Sequence, residues 1–190
     1  MGASAYLQRR IGLVRGRLAF RKACKGTNII VGKRLVLRNP QCMTIGDDCY
    51  FGPDCRIEAW NLYNGITFDP HIEIGRDVRI NSTCHIGAIR HVKIEEECLL
   101  GSHVTIIDHG HGRGVYNEMI QHPSNRDLYS KGEVIIGSRC WICENVTILP
   151  GVHIGECCII GANAVVTKDM PSYSVIAGNP AKVVRKIVAD

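Results

Sequence analysis

An all-β coil of short parallel strands is the fold class this sequence predicts, and three features of residues 133–166 predict it. Every sixth residue is aliphatic: Ile136, Ile142, Ile148, Ile154, Ile160 and Val166. Glycine follows three of them, at Gly137, Gly155 and Gly161. Four places after an aliphatic stands a small or β-branched residue: Cys140, Val146, Val152, Cys158 and Ala164. A helix repeats at about 3.6 residues and a strand at about 2, so a strict six is neither an amphipathic helix nor an ordinary hairpin. It marks a parallel β-helix of six-residue repeats, in which each short strand sends one aliphatic inward.

The rest of the chain divides around that coil. Residues 1–25 form a first unit. Within 4–24, Leu7, Ile11, Val14 and Leu18 recur at helical spacing among Arg9, Arg10, Arg15, Arg17, Arg21 and Lys22. This predicts a short basic N-terminal helix. It would either rest on anionic lipid or pack on its own body or a neighbouring subunit. Residues 26–187 form the second unit. Its hexads begin raggedly around Ile30 and Leu37 and become regular at Ile45, Phe51 and Ile57. A break at 58–71 carries Trp60, Tyr63 and Phe68 and predicts a loop folded back on a face of the coil. Hexads resume at Ile74, Ile80 and Ile86, and two extra residues then shift the phase to Ile94, Leu100 and Ile106.

From 107 to 133 the pattern is lost. Ile106 and Ile136 are 30 residues apart, a multiple of six, yet positions 112, 118, 124 and 130 are Gly, Glu, Ser and Ser. None of these fills a dry core. The segment is therefore expected to be extruded while the coil continues beneath it, and long loops in compact domains are usually functional. After Val166, Asp169-Met170-Pro171 ends the coil, and 175–187 forms a closing tail.

Composition narrows the function classes. Hydrophobic residues make up 45% of the 190 and aromatics only 6%, which suits a narrow interior filled by Ile and Val. No apolar run approaches membrane-spanning length. No signal-peptide pattern is present, and Tyr6 stands where a myristoylation motif wants Ser or Thr. Of the ten cysteines, Cys49, Cys55, Cys84, Cys98, Cys140 and Cys158 each follow an inward aliphatic by four places, which makes them small buried hydrophobes. Reduced cysteines and no export signal point to the cytoplasm, with the inner membrane face as a peripheral option. Residues 1–46 hold ten Lys or Arg and no acid, a basic arm on a mildly acidic body. The arm carries no zinc-knuckle or RNA-binding aromatic motif, so nucleic acid is not expected as a partner.

The run Val134-Ile-Ile-Gly137, Cys140-Trp-Ile, Ile148-Leu-Pro-Gly-Val-His-Ile-Gly155, Ile160-Gly-Ala-Asn-Ala-Val-Val-Thr-Lys-Asp169 and Ala177-Gly-Asn-Pro-Ala-Lys182 resembles the hexapeptide-repeat acyltransferases. The nearest branch is that of the maltose, galactoside and capsular-polysaccharide O-acetyltransferases. The resemblance covers roughly residues 40–187. It implies a left-handed coil, assembly as a homotrimer, and acetyl transfer from acetyl-CoA, as co-substrate, to a sugar hydroxyl, with no metal.

A sugar hydroxyl is a poor nucleophile near pH 7 and needs a base as the new C–O bond forms, a role that neutral imidazole suits. The family places its base five residues after the last aliphatic of the preceding hexad. After Ile106 that residue is His111, with His109 the reserve and Asp108 able to orient either. Asn81 matches a family residue that binds the acceptor, and Asp108 is expected on the acceptor side with it. The family's aspartate near the N-terminus has no counterpart here. By the same motif match Trp141, Ala162, Thr167 and Lys168 line the CoA groove, with Glu144 beside them. Lys182 and Arg185 match positions that meet the CoA phosphates. N-acetylation of an amino-sugar nucleotide is the nearest alternative. A serine acetyltransferase, a zinc lyase using some of His85, His103, His109, His111 and His122, and a non-enzymatic scaffold trimer are more distant.

Overall fold

A computed structural model describes residues 13–15 and 26–188. The inward aliphatics explain the architecture. Short strands wrap three faces in turn, and each strand hydrogen-bonds to the strand one coil above and below. The first face stacks Val36–Arg38, Arg56–Ala59, His85–Ala88, Thr105–Ile107, Thr147–Ile148 and Val165–Val166. The second stacks Ile30–Val31, Tyr50–Phe51, Arg79–Ile80, Leu99–Leu100, Trp141–Ile142, Ile159–Ile160 and Ser174–Gly178. The third stacks Met43–Ile45, His71–Ile74, His91–Ile94, Val134–Ile136 and His153–Ile154. Every ladder between coils is parallel, and aliphatics fall in columns: Ile57, Ile86, Ile106, Ile148 and Val166 are in register on the first face. All of these are at most 1% exposed. Each such burial is worth about 1.5–3 kcal/mol.

At the start of the coil the register differs from the expected one. Ile30 is 59% exposed and Val31 is the inward residue. The N-terminal expectation is also corrected in part. Leu13–Arg15, inside the expected helix, is a strand antiparallel to Val36–Arg38. The outermost strand of the first face would otherwise present an open edge, and pairing closes it. The remainder of 4–24 lies outside the described residues.

The corners follow from the same repeat. The third residue of many corners is left-handed, at Asp48, Asp54, Asp77, Thr83, Glu97, His103, Arg139, Asn145, Cys157 and Asn163. Coils approach so closely there that a Cβ on Gly75 would lie 2.6 Å from the Glu96 nitrogen. Cysteines occupy corners as expected: Cys49, Cys98 and Cys140 donate to the carbonyls of Gly75, Gly137 and Gly155 at 3.1, 3.2 and 3.2 Å. The described cysteines are free thiols.

Two insertions interrupt the prism on one side. The first is a hairpin, Leu62–Tyr63 with Ile66–Thr67, turned by Asn64-Gly65. Both turn residues have positive φ, the two-residue turn that matches strand twist. The second is the expected 107–133 loop. It carries Gly110–His111 paired antiparallel with Leu128–Tyr129, and a helical turn at Tyr116–Met119. Across it the coil advances by one face, from Ile106 on the first to Ile136 on the third. The tail Ala181–Lys186 turns back on Ser174–Gly178 and ends the second face.

Candidate active site

The two insertions meet above the corner where the first face gives way to the third. Tyr63 donates its hydroxyl to the Ser124 carbonyl at 2.8 Å, and the Asn64 amide reaches the same oxygen at 3.2 Å. The aromatic loop thus clasps the extruded loop rather than lying flat on a face. Between them is a cavity of about 620 Å³. His109, His111 and Leu128 line one wall; Arg56, Glu58 and His85 line the floor; Trp60 and Tyr63 close the side.

Asp108 fixes this corner. It is fully buried and accepts hydrogen bonds from the backbone nitrogens of Ile89, Arg90 and His91 at 2.9, 2.8 and 2.8 Å. Those donors belong to the two extra residues that shift the hexad phase and the residue after them. The insert bends the chain, exposes three amide donors, and a carboxylate one coil above satisfies them. Its Oδ1 also lies 2.8 Å from His109 Nδ1. Asp108 therefore orients His109, and it does so from a fully buried position. His109 Nδ1 is held, which leaves Nε2 for the cavity. His111 is exposed. Its Nδ1 is 3.4 Å from the Tyr63 hydroxyl and the two rings meet edge to face at 5.5 Å.

The floor was not foreseen as a site. Glu58 is 5% exposed and its carboxylate contacts Arg38, Arg56 and His85 at 3.4, 3.2 and 3.2 Å. Burial alone would raise its pKa; the His85 hydrogen bond and the charges of Arg56, His85 and Arg38 outweigh burial and hold the carboxyl below its usual range. The Arg38 guanidinium stacks on Trp60, 3.8 Å from the ring centre. Polar residues alternate at 56 and 58, but that reads equally as a solvated strand face.

The other expected residues fall elsewhere on the prism. Asn81 stands at the corner entering the strand His85–Ala88, the histidines at the corner leaving the first face. Glu144 and Ala162 sit on successive coils of the corner that Asn81 occupies, and Trp141, 49% exposed, projects beside them from the second face. Thr167 and Lys168 follow the strand Val165–Val166 at the histidines' corner, two coils farther along. Lys182 and Arg185 lie on the last strand of the second face. One chain thus distributes these residues over two edges. Among the described residues no three His, Cys, Asp or Glu side chains group as metal ligands.

Comparison with known proteins gives the same architecture. The description "Bacterial transferase hexapeptide (six repeats)" matches residues 133–168. A protein of Escherichia coli (strain K12) named "Putative lipopolysaccharide biosynthesis O-acetyl transferase WbbJ" is 36% identical over 154 residues, 79% of this chain and 74% of its own. The chain belongs to the hexapeptide-repeat acyltransferases. Among solved members, a maltose O-acetyltransferase from Clostridium difficile 630 superposes with TM-score 0.62 at 24% identity, over 90% of this chain and 74% of its own. A galactoside acetyltransferase in complex with coenzyme A gives 0.61 at 24% identity, over 90% and 69%. These two share the fold, which in this acyltransferase family is a left-handed β-helix. A staphylococcal relative (strain COL), also carrying an acetyltransferase name, matches at 51% identity over 69 residues, 36% of this chain and 35% of its own.

Proposed function

We propose that the protein transfers an acetyl group from acetyl-CoA to a hydroxyl of a sugar or polysaccharide precursor, with a loop histidine as general base. The observation that carries this is a pair of imidazoles facing one cavity, one of them held by a buried carboxylate. His109 is the better-placed base, ahead of His111. Asp108 fixes its tautomer with the proton on Nδ1, so Nε2 carries the lone pair. Nε2 takes the acceptor proton as the oxygen attacks the thioester carbonyl. The C–S bond then breaks, and the imidazolium returns the proton to the departing thiolate.

The donor is held between chains of a trimer. The expected CoA residues lie on two edges of one prism, and an edge of one chain laid against another edge of its neighbour brings them together. Leu99 and Trp141, exposed neighbours on the outward side of the second face, support such packing. The name of the Escherichia coli relative, an O-acetyl transferase of lipopolysaccharide biosynthesis, favours a glycan hydroxyl over an amine.

The test is acetyl-CoA consumption against sugars, sugar nucleotides and lipid-linked glycans. His109→Ala should lower kcat by about 100-fold or more, within the usual range for a general base, while CoA still binds. His111→Ala should cost less than about tenfold, well below that range. The opposite order would return the role to His111, and full turnover in both variants would remove the histidine mechanism.

A further inference from the structure

The cavity floor holds a second carboxylate-bound imidazole that the base does not use. His85 stands beside Arg56, and Gly87 beside Glu58, on adjacent coils of the first face. His85 Nε2 is 3.1 Å from Arg56 Nη2 and 3.2 Å from Glu58 Oε2. Glu58 is thus a buried charged group fixing two donor-capable side chains at the cavity surface. Above it His109 leans over the same glycine. A Cβ on Gly87 would sit 3.4 Å from His109 Cε1, 3.5 Å from His85 Nε2 and 3.3 Å from Ile107 Cγ2. An atom at that point therefore touches both imidazoles, and the chain leaves it bare. Trp60 and Tyr63 supply the apolar side of the same space.

We infer that His85 and Arg56, fixed by Glu58, hold a second hydroxyl next to the one acetylated, so that the acceptor is a cyclic vicinal diol seated on the bare backbone of Gly87. One hydroxyl meets His109 Nε2 and its neighbour meets His85 and Arg56. The ring between them lies over Gly87 with an apolar edge toward the aromatics, as amphipathic sugar rings pack. Sites built to pair a substrate hydroxyl discriminate strongly against analogues lacking it, because their own polar groups are then left unpaired. The inference rests on the acetyl-transfer reading above and names His85 and Arg56 as positioning residues.

The experiment compares methyl glycosides with their monodeoxy counterparts, reading thiol release from acetyl-CoA. The wild type should favour the diol by about tenfold or more in kcat/KM, chiefly through KM. His85→Ala should bring that preference to within twofold, and His85→Gln, which keeps a hydrogen-bonding group, should restore part of it. A structural defect would lower both substrates alike and leave the ratio unmoved. Gly87→Ala should retain the fold by circular dichroism yet lose acetylation at least tenfold. A wild-type ratio within twofold, or a ratio unchanged in His85→Ala, overturns the inference. Calorimetry with CoA separates the remaining failures. CoA binding with no glycoside acetylated overturns the diol assignment. No CoA binding overturns the acetyl-transfer reading, and the diol assignment with it.

Discussion

Glu58 shows how one residue couples stability to the site. It is buried among Arg38, Arg56 and His85, and its carboxyl titrates below the usual range. A depressed carboxyl contributes stability above its unfolded pKa and loses it as pH falls through the folded value. The wild type should therefore lose thermal stability as pH drops below about 4.3, the ordinary Glu value, and Glu58→Gln should show a flatter profile there. Melting temperatures from pH 7 to pH 3 check this; parallel curves for the two proteins would detach Glu58 from the acid transition. Removing one partner of a buried pair leaves the other uncompensated, so Glu58→Ala should cost about 3 kcal/mol at pH 7. Asp108 is the second buried carboxylate, two coils up. Its three amide partners predict that Asp108→Ala loosens the corner as well as His109.

At the scale of the element, the unit is one six-residue strand and corner. Its inward residue has neighbours above, below and across, so a void there cannot close by collapse. Ile148 is fully buried, while Thr147 beside it faces outward. Ile148→Ala should cost about 2–5 kcal/mol, and Thr147→Ala less than about 0.5 kcal/mol as a surface change. Equal losses in urea denaturation would contradict the inward assignment. Gly75 tests the corner. Its Cβ would collide with backbone on the next coil at 2.6 Å, which no rotamer relieves. Gly75→Ala should therefore destabilise more than Gly65→Ala in bulk, since nothing lies within 4 Å of a Cβ at Gly65 and only its φ of +83° is strained.

For the whole molecule, the prediction is assembly. Exposed apolar residues cluster on the second face and on the extruded loop, where Val115, Tyr116 and Ile120 are 51%, 82% and 78% exposed. We expect a trimer by light scattering, and Trp141→Glu should weaken it and lower activity together. A monomeric wild type with full activity would refute a donor site shared between chains. The basic arm is a separate proposal. Deleting residues 1–25 should reduce binding to anionic vesicles while the coil stays folded, although the strand Val36–Arg38 then loses its antiparallel cover.

The coil, most of its inward residues, the extruded loop and the histidines at that loop's root are legible in the order of residues alone. They are so because a period of six is a local property: the geometry of one strand and one corner repeats along the chain. What stands beside what depends on how the coils stack. Arg56, His85 and His109 are 29 and 24 residues apart in sequence and line one cavity only because coils stack. That stacking buried Asp108 against the amides of Ile89, Arg90 and His91, and put Glu58, His85 and Gly87 under the cavity. It also sent Asn81 to another edge. Polar residues at 56 and 58 carry no label distinguishing a solvated face from a cavity floor, because the two differ only in what the insertions at 62–67 and 107–133 fold over.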